Sequence, residues 1–149
     1  TKSILYGALN WGSNMYDYNC KIVRVVDGDT VDVDVDLGWS TWRCGERIRL
    51  YGIDTPECRT RDAEEKAAGL LAKEFVEDAL HVGGTYTLTT REKGKFGRYL
   101  GVIMLSDKTS VNAALVSENL AVPYHGQSKQ EIEDAHATNY EIQKDKGLI

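Results

Sequence analysis

Apolar and polar residues alternate along much of the first half of the chain. Residues 31–37 read Val-Asp-Val-Asp-Val-Asp-Leu, a period of two that predicts a strand with valines on one face and solvated aspartates on the other. Residues 21–26 are rich in β-branched side chains and residues 46–51 alternate apolar with polar or charged ones, so both are also predicted strands. An Asp-Gly-Asp sequence at residues 27–29 supplies a turn, since Asp-Gly tolerates positive φ.

The period changes to that of a helix between residues 63 and 81. Asp62 and Glu65 are spaced as a capping box at the start of this helix. The Gly-Gly pair at residues 83–84 is expected to end it. One face of the helix is apolar and should pack on the core; it comprises Ala68, Leu71, Ala72, Phe75, Val76 and Ala79.

The second half of the chain predicts four further elements. Residues 85–91 and 98–105 are strands, residues 110–119 a short helix and residues 128–144 a more polar helix. Strands and helices in this order indicate an α+β protein rather than a βαβ alternation. Five short strands around a small core suit a five-stranded Greek-key β-barrel of the OB type, with three α-helices.

Length and composition indicate one ordinary globular domain. The chain has 149 residues and a mass of 16.6 kDa. Hydrophobic residues make up 42% of the sequence and charged residues 28%, which is typical of a globular domain with a single core. No run approaches the roughly 18 apolar residues of a membrane span. We therefore expect no membrane partner and a monomer. The net charge of −5 is unexpected for a protein that handles nucleic acid, where a basic surface usually supplies affinity.

The cysteines favour a reducing compartment. Cys20, Cys44 and Cys58 are odd in number, with spacings of 24 and 14 that match no zinc motif. We expect buried, reduced thiols. The start of the chain has no apolar core of a secretory signal, so we favour a cytoplasmic location. Secretion is the alternative, because the chain begins without Met.

The aspartate-rich strand invites comparison with a calcium loop of the EF-hand type, which needs Gly at its sixth position and Glu at its twelfth. A loop that starts at Asp32 has Leu37 and Arg43 at those positions. One that starts at Asp27 has Asp32 and Gly38 there. The EF-hand interpretation therefore fails.

A second group of carboxylates lies on turns, where oxygen ligands can gather around a hard cation. Asp29 follows the first strand and is either a ligand or a plain turn residue. Thr55 precedes Pro56 and is therefore extended, which fixes its carbonyl near Asp54. Glu57 is close enough in sequence to orient or deprotonate a water. The alternative is a turn that caps the following helix.

Two arginines complete a phosphate-handling set. Arg49 lies opposite the apolar residues of its strand, and Arg98 follows a glycine at the start of another. Either one alone could be an ordinary surface cation, but the guanidinium fork matches phosphate. A metal, a spare carboxylate and two arginines are what in-line attack on a phosphodiester requires. Together they indicate a nuclease.

The ordered motifs resemble the staphylococcal nuclease (thermonuclease) family. They are Asp-Gly-Asp-Thr at residues 27–30, Arg-x-x-x-x-Asp-Thr-Pro-Glu at residues 49–57 and Lys-Phe-Gly-Arg-x-Leu at residues 95–100, followed by Val-Asn-Ala-Ala-Leu-Val at residues 111–116. The resemblance covers roughly residues 20–140. It implies an OB barrel with three helices and a calcium-dependent phosphodiesterase that acts on DNA and RNA, single-stranded or locally melted, and leaves 3′-phosphates.

The resemblance also implies roles for individual carboxylates. Asp29 and Asp54 match the carboxylates that bind Ca²⁺, and Thr55 matches the carbonyl ligand. Glu57 matches the carboxylate that acts on the attacking water. Asp27 matches an acidic position behind the metal ligands. Ca²⁺ is therefore the implied cofactor.

The remaining matched positions concern the substrate. Arg49 and Arg98 match the two arginines that bind and neutralise the phosphate. Lys95 and Phe96 fall where the family has a lysine and an aromatic residue beside the nucleotide. Tyr124 approximates a nucleotide-binding tyrosine, although the preceding proline and the local spacing depart from the family pattern.

Residues 20–149 form the matched domain, and residues 1–19 form an N-terminal arm without a family counterpart. The arm carries Tyr6, Trp11, Tyr16 and Tyr18, and is a flap on the barrel, a dimer contact or a stacking platform. Two other functions remain. A catalytically inactive binding module has no need of all five charged site residues. A single-strand binder of the OB type stacks bases on aromatics in a basic groove, whereas this sequence concentrates its aromatics in the arm.

Overall fold

The computed structural model describes residues 16–93 and 98–149. Within these ranges the chain forms seven strands and three helices. The strands are β1 (Asp17–Asp27), β2 (Thr30–Asp36), β3 (Trp42–Leu50), β4 (Ile53–Asp54), β5 (Thr85–Lys93), β6 (Tyr99–Met104) and β7 (Val122–Pro123). The helices are α1 (Ala63–Ala79), α2 (Val111–Ser117) and α3 (Lys129–Asp145).

Five strands close into a barrel in the order β1-β2-β3-β6-β5. Strand β1 is antiparallel to both β2 and β5, whereas β3 and β6 run parallel, with Ile48 opposite Tyr99. The expected α+β fold with a five-stranded OB-type barrel and three helices is confirmed. β1 begins at Asp17, so the last residues of the arm are part of the barrel. The short strands β4 and β7 pair outside it.

The period-two pattern places side chains as expected. The three valines of β2 are buried and its three aspartates are half-buried on the outer face. These aspartates have partners: Asp32 accepts a bond from Arg47 at 2.9 Å, and Asp34 accepts one from the backbone N–H of Gly45 at 2.8 Å. The aspartates of the outer face are thus held by an arginine and by a backbone N–H group.

Helix α1 covers one end of the barrel and requires a glycine beneath it. A Cβ added to Gly28 would lie 2.8 Å from the Cβ of Ala72 and 3.2 Å from the Thr55 hydroxyl oxygen. The backbone of Gly28 is not in the left-handed region. The predicted turn is present, and its glycine serves the close packing of α1 and Thr55 rather than a positive φ.

The N-terminus of α1 has one of the two interactions of the expected capping box, the one made by the Asp62 side chain. The Asp62 carboxylate accepts from the N–H groups of Glu64 and Glu65 at 3.0 and 3.1 Å. The Glu65 carboxylate accepts from the Thr60 hydroxyl at 3.2 Å, and the Asp62 N–H donates to Thr60 instead. The helix ends at Ala79, because the next residue turns into an extended conformation and is buried.

Cys20, Cys44 and Cys58 form no disulfide within the described ranges, and not all of them are buried. Cys20 and Cys58 are buried, and burial raises the pKa of the Cys20 thiol to about 11. Cys44 is exposed on β3, so the expectation of three buried thiols is wrong for this residue. No helix within residues 16–93 and 98–149 has the length and apolar character needed to cross a membrane.

Candidate nuclease site

The centre of the site is a single guanidinium that bridges two carboxylates. Arg49 donates through Nη1 to Oδ2 of Asp29 and through Nη2 to Oδ1 of Asp54 at 3.2 Å. Its Nη2 also lies 3.4 Å from the carbonyl oxygen of Ile53. Burial lowers the pKa of Arg49, but the two carboxylates outweigh this effect and raise it overall. The Arg49 guanidinium therefore stays positively charged.

The strand register explains why these groups meet. Arg49 lies on the outer face of β3 between two buried neighbours and pairs with Thr30 on β2. Asp29 precedes Thr30, and the N–H of Leu50 donates to the carbonyl of Asp29 at 2.8 Å. Asp54 belongs to β4, which follows β3 after a tight turn. The ends of β2, β3 and β4 thus bring Asp29, Arg49 and Asp54 together.

His136 is part of this cluster and was missed by the sequence analysis. It lies on α3 with 8% of its surface exposed, and its Nε2 is 2.8 Å from Oδ2 of Asp54. Its ring is stacked on Tyr140 with centroids 6.2 Å apart. The available signal was a row of polar residues at helical spacing, His136, Asn139 and Gln143, all of which are buried.

The other two members of that row explain how α3 is held. The Asn139 amide lies 3.4 Å from the carbonyl of Ala121, and the Gln143 amide donates to the carbonyl of Asn119 at 2.8 Å. A polar helix thus docks through side-chain hydrogen bonds to the segment between α2 and β7. This docking presents His136 to the site.

Glu57 lies in a strongly negative surrounding. Partial burial raises the pKa of its carboxyl, and the charges of Asp29, Asp27 and Asp54 raise it further. The backbone that carries it packs tightly on α1, because a Cβ at Gly69 would lie 2.6 Å from the Glu57 carbonyl oxygen. Glu57 therefore lies in the negative electrostatic field of Asp29 and Asp54.

Thr55 is buried, with 5% of its surface exposed, and directly follows Asp54. Arg98 is exposed and immediately precedes β6. Tyr99 pairs with Ile48, so the backbone of Arg98 lies next to β3, the strand that carries Arg49. The two arginines are therefore close to neighbouring positions of β3 and β6.

Tyr124 is exposed, and its N–H donates to the carbonyl of Gly52 at 2.8 Å. The pairing of β7 with β4 thus places its backbone beside the segment that leads into Asp54. Lys95 and Phe96 lie outside the described residues.

The donor set fits a hard divalent cation in its chemistry. Asp29 and Asp54 supply carboxylate oxygens and Thr55 a carbonyl, the ligand types that Ca²⁺ accepts. All four carboxylate oxygens have protein partners, since Thr30 also donates to Asp29 and His136 contacts Asp54. An ionised carboxylate offers about four lone-pair sites, so these bonds leave capacity for a cation. In the described ranges no three His, Cys, Asp or Glu side chains are grouped as metal ligands.

Comparison with known proteins gives a consistent result. The family described as staphylococcal nuclease homologue matches residues 47–147. Micrococcal nuclease of Shigella flexneri is 32% identical over 133 residues, which covers 84% of this chain and 68% of that protein. Thermonuclease of Staphylococcus intermedius is 35% identical over 101 residues, or 67% of this chain and 56% of that protein. An uncharacterized endonuclease of Escherichia coli is 31% identical over 77% of this chain and 67% of its own length.

Fold and site together define an α+β protein of the OB type with an arginine–carboxylate site at the ends of its barrel strands. The matched range exceeds half of the 149 residues. The chain belongs to the staphylococcal nuclease family.

Proposed function

We propose that this protein is a calcium-dependent nuclease that hydrolyses phosphodiester bonds of DNA and RNA. Family membership and relatives named as micrococcal nuclease and thermonuclease support nucleic-acid hydrolysis. The observation that carries the proposal is the bridge from Arg49 to Asp29 and Asp54. Beside it lies the carboxyl group of Glu57, whose pKa is raised by burial and by these aspartates. This arrangement combines charge for a phosphate with a candidate acceptor for a proton.

The arginines bind and neutralise the phosphate. A guanidinium has five N–H donors, and the bonds of Arg49 to the site use its two terminal nitrogens. Its remaining N–H groups are available to phosphate oxygens. Arg98 adds a second guanidinium from the neighbouring strand. Donors aimed at the oxygens that gain charge in the transition state lower its free energy.

Glu57 acts on the attacking water. Its side chain is exposed to solvent. A carboxylate within reach of a water can orient it and accept its proton. Glu57 orients the water for in-line attack and receives its proton. The 5′-oxygen leaves and the products carry 3′-phosphates.

Asp29, Asp54 and the Thr55 carbonyl would hold the cation. When bound, Ca²⁺ supplies Lewis-acid stabilisation of charge on the phosphate. The negative field at Glu57, caused by Asp29, Asp27 and Asp54, supports this assignment, because a bound cation relieves such repulsion. Mg²⁺ should substitute poorly, since it demands octahedral geometry and dehydrates reluctantly.

The test is cleavage of plasmid DNA, single-stranded DNA and RNA in calcium, in magnesium or in chelator, with the Glu57→Gln variant as a control. We expect cleavage in calcium, little in magnesium or chelator, and little by the variant. End-labelling should detect 3′-phosphates. Full cleavage in magnesium after rigorous removal of calcium would contradict the ligand assignment. No cleavage under any condition would favour a binding module.

A further inference from the structure

A cavity opens at the end of the barrel where β1 and β6 begin and β2 ends. We call it the barrel-mouth pocket. Its volume is about 320 Å³. Val35, Ile48 and Leu88, all buried in the core, form its floor. This pocket is separate from the cluster around Arg49, because its floor residues point into the barrel whereas Arg49 points outwards.

The wall of the pocket is aromatic. Tyr16, Tyr18 and Tyr99 line it, and the rings of Tyr16 and Tyr18 lie 6.2 Å apart at an angle of 38°. Tyr16 is 57% exposed at the rim. The arm thus contributes two of its aromatic residues to a surface that also includes β6. The sequence did not reveal this convergence.

Two arginines also line the pocket. The guanidinium of Arg43 lies 5.3 Å from the centre of the Tyr99 ring and donates to the Tyr99 hydroxyl at 3.1 Å. Glu46 holds the other side of this guanidinium at 2.7 Å. Arg91 is the second arginine. The pocket therefore carries two positive charges and one negative charge, on a chain whose net charge is −5.

A flat heteroaromatic ring on an anionic backbone is the ligand that this surface matches. Nucleobases stack on aromatic side chains in single-strand binding proteins, and arginines there contact the backbone. The Arg43 and Glu46 groups offer a donor and an acceptor to the edge of a base. Guanidinium groups also match the geometry of phosphate.

The position of the pocket connects it with the proposed nuclease site. Tyr99 follows Arg98, and its partner across the parallel ladder, Ile48, precedes Arg49. Alternate residues of a strand point to opposite faces. Ile48 and Tyr99 therefore line the pocket next in sequence to Arg49 and Arg98, but on the opposite face of the sheet.

We propose that the barrel-mouth pocket is a base-binding subsite for an unpaired nucleotide of the bound strand, away from the cleaved phosphodiester. This inference rests on the proposed function. A base enters between the tyrosines, beside Arg43 and Arg91 of the pocket wall. Base-paired DNA cannot present a base in this way without unpairing, so the subsite gives a preference for unpaired strands.

The test measures binding without turnover, in the Glu57→Gln background with strand integrity checked on gels. The probes are a fluorescent oligothymidylate and an abasic strand of equal length, followed by anisotropy. Tyr18→Leu and Tyr99→Leu should each weaken oligothymidylate binding by about tenfold, the scale of one lost stacking contact. Binding of the abasic strand should not change. Tyr18→Phe and Tyr99→Phe should keep the parental affinity for oligothymidylate.

Two further variants control for folding and for general surface effects. Tyr16→Leu removes a rim ring that is mostly exposed and should weaken oligothymidylate binding even if the inner variants fail to fold. Trp39→Leu removes a fully exposed ring (101% exposed) that does not line the pocket, and should have no effect.

Several outcomes would overturn the proposal. They are equal losses of affinity for oligothymidylate and the abasic strand, unchanged binding in all three Tyr→Leu variants, or an equal loss in Trp39→Leu. Occupation of the pocket by the protein's own arm predicts tighter oligothymidylate binding after Tyr6→Ala or Trp11→Ala, and this result would also overturn it. Because the assay needs no cleavage, an inactive parental protein would refute the nuclease proposal and leave the subsite result intact.

Discussion

His136 and Asp54 are 82 positions apart in sequence, yet Nε2 of the histidine lies 2.8 Å from Oδ2 of the aspartate. The other oxygen of the same carboxylate is held by Arg49. The Asp54 carboxylate is therefore fixed from two sides, by a barrel strand and by the last helix. This contact makes the docking of α3 part of the geometry of the site.

We predict that His136→Ala destabilises the protein and depresses cleavage. It leaves an oxygen of Asp54 without its partner in a largely buried position, which costs about 1–3 kcal/mol. His136→Gln should recover part of the loss, because its amide nitrogen can reach the position of Nε2. Urea denaturation gives the free energy of unfolding. Calcium titration by calorimetry should show weaker binding in the Ala variant than in the Gln variant. Equal values for both variants and the parent would contradict a positioning role.

Arg49→Lys and Arg98→Lys should each reduce turnover by on the order of 10²-fold, the scale for one lost transition-state donor. An ammonium keeps the charge but cannot reproduce two-pronged contact with phosphate. The matched control is Arg47→Lys on the same face of β3. Its side chain is 52% exposed and pairs with Asp32, so turnover should stay near the parental value. Initial rates on single-stranded DNA test this, with thermal unfolding to verify the fold. Three equal rates would reject the assigned division of labour.

Glu57→Gln should stabilise the protein at neutral pH in chelator. Burial and the charges of Asp29, Asp27 and Asp54 raise the pKa of Glu57, so the folded protein holds this proton to higher pH than the unfolded chain. Stability therefore falls as pH rises from the ordinary pKa to the raised one. The gain in the variant should be below about 1 kcal/mol, since solvent screens the side chain.

The stability difference between Glu57→Gln and the parent should vanish below about pH 4, where a glutamate is protonated in both states. Urea denaturation between pH 4 and pH 8 measures it. Glu77→Gln, on the exposed face of α1, is the control. A pH-independent difference, or a loss of stability, would show that the negative field does not act on Glu57.

Gly28→Ala should destabilise the protein by about 1–3 kcal/mol, the range for inserting a methyl group into a packed core. The added Cβ would overlap Ala72 and press on Thr55, so cleavage should fall as well. The double variant Gly28→Ala with Ala72→Gly makes room for the new methyl group. It should be less destabilised than the sum of the two single variants, as measured by urea denaturation. Additive losses would indicate that the two positions do not compete for space.

The sequence alone predicted most of the fold. The strict alternation in β2 and the apolar face of α1 are local patterns, and hydrophobic burial fixes which face of each element points inwards. The order of strands and helices then restricts the architecture to few possibilities. The orientation of the β3 side chains followed from the alternation of Ile48 and Leu50 with Arg49, which correctly set the arginine on the outer face.

Tertiary structure decided what depends on contacts between distant segments. His136 reaches Asp54, and Tyr16 and Tyr18 meet Tyr99, only because a helix docks and a barrel closes. The close packing at Gly28 depends on where α1 lies. Periodicity records which side of an element is buried, because that side loses its contact with water. It does not record which partner is found there, since that depends on how the separate elements pack together.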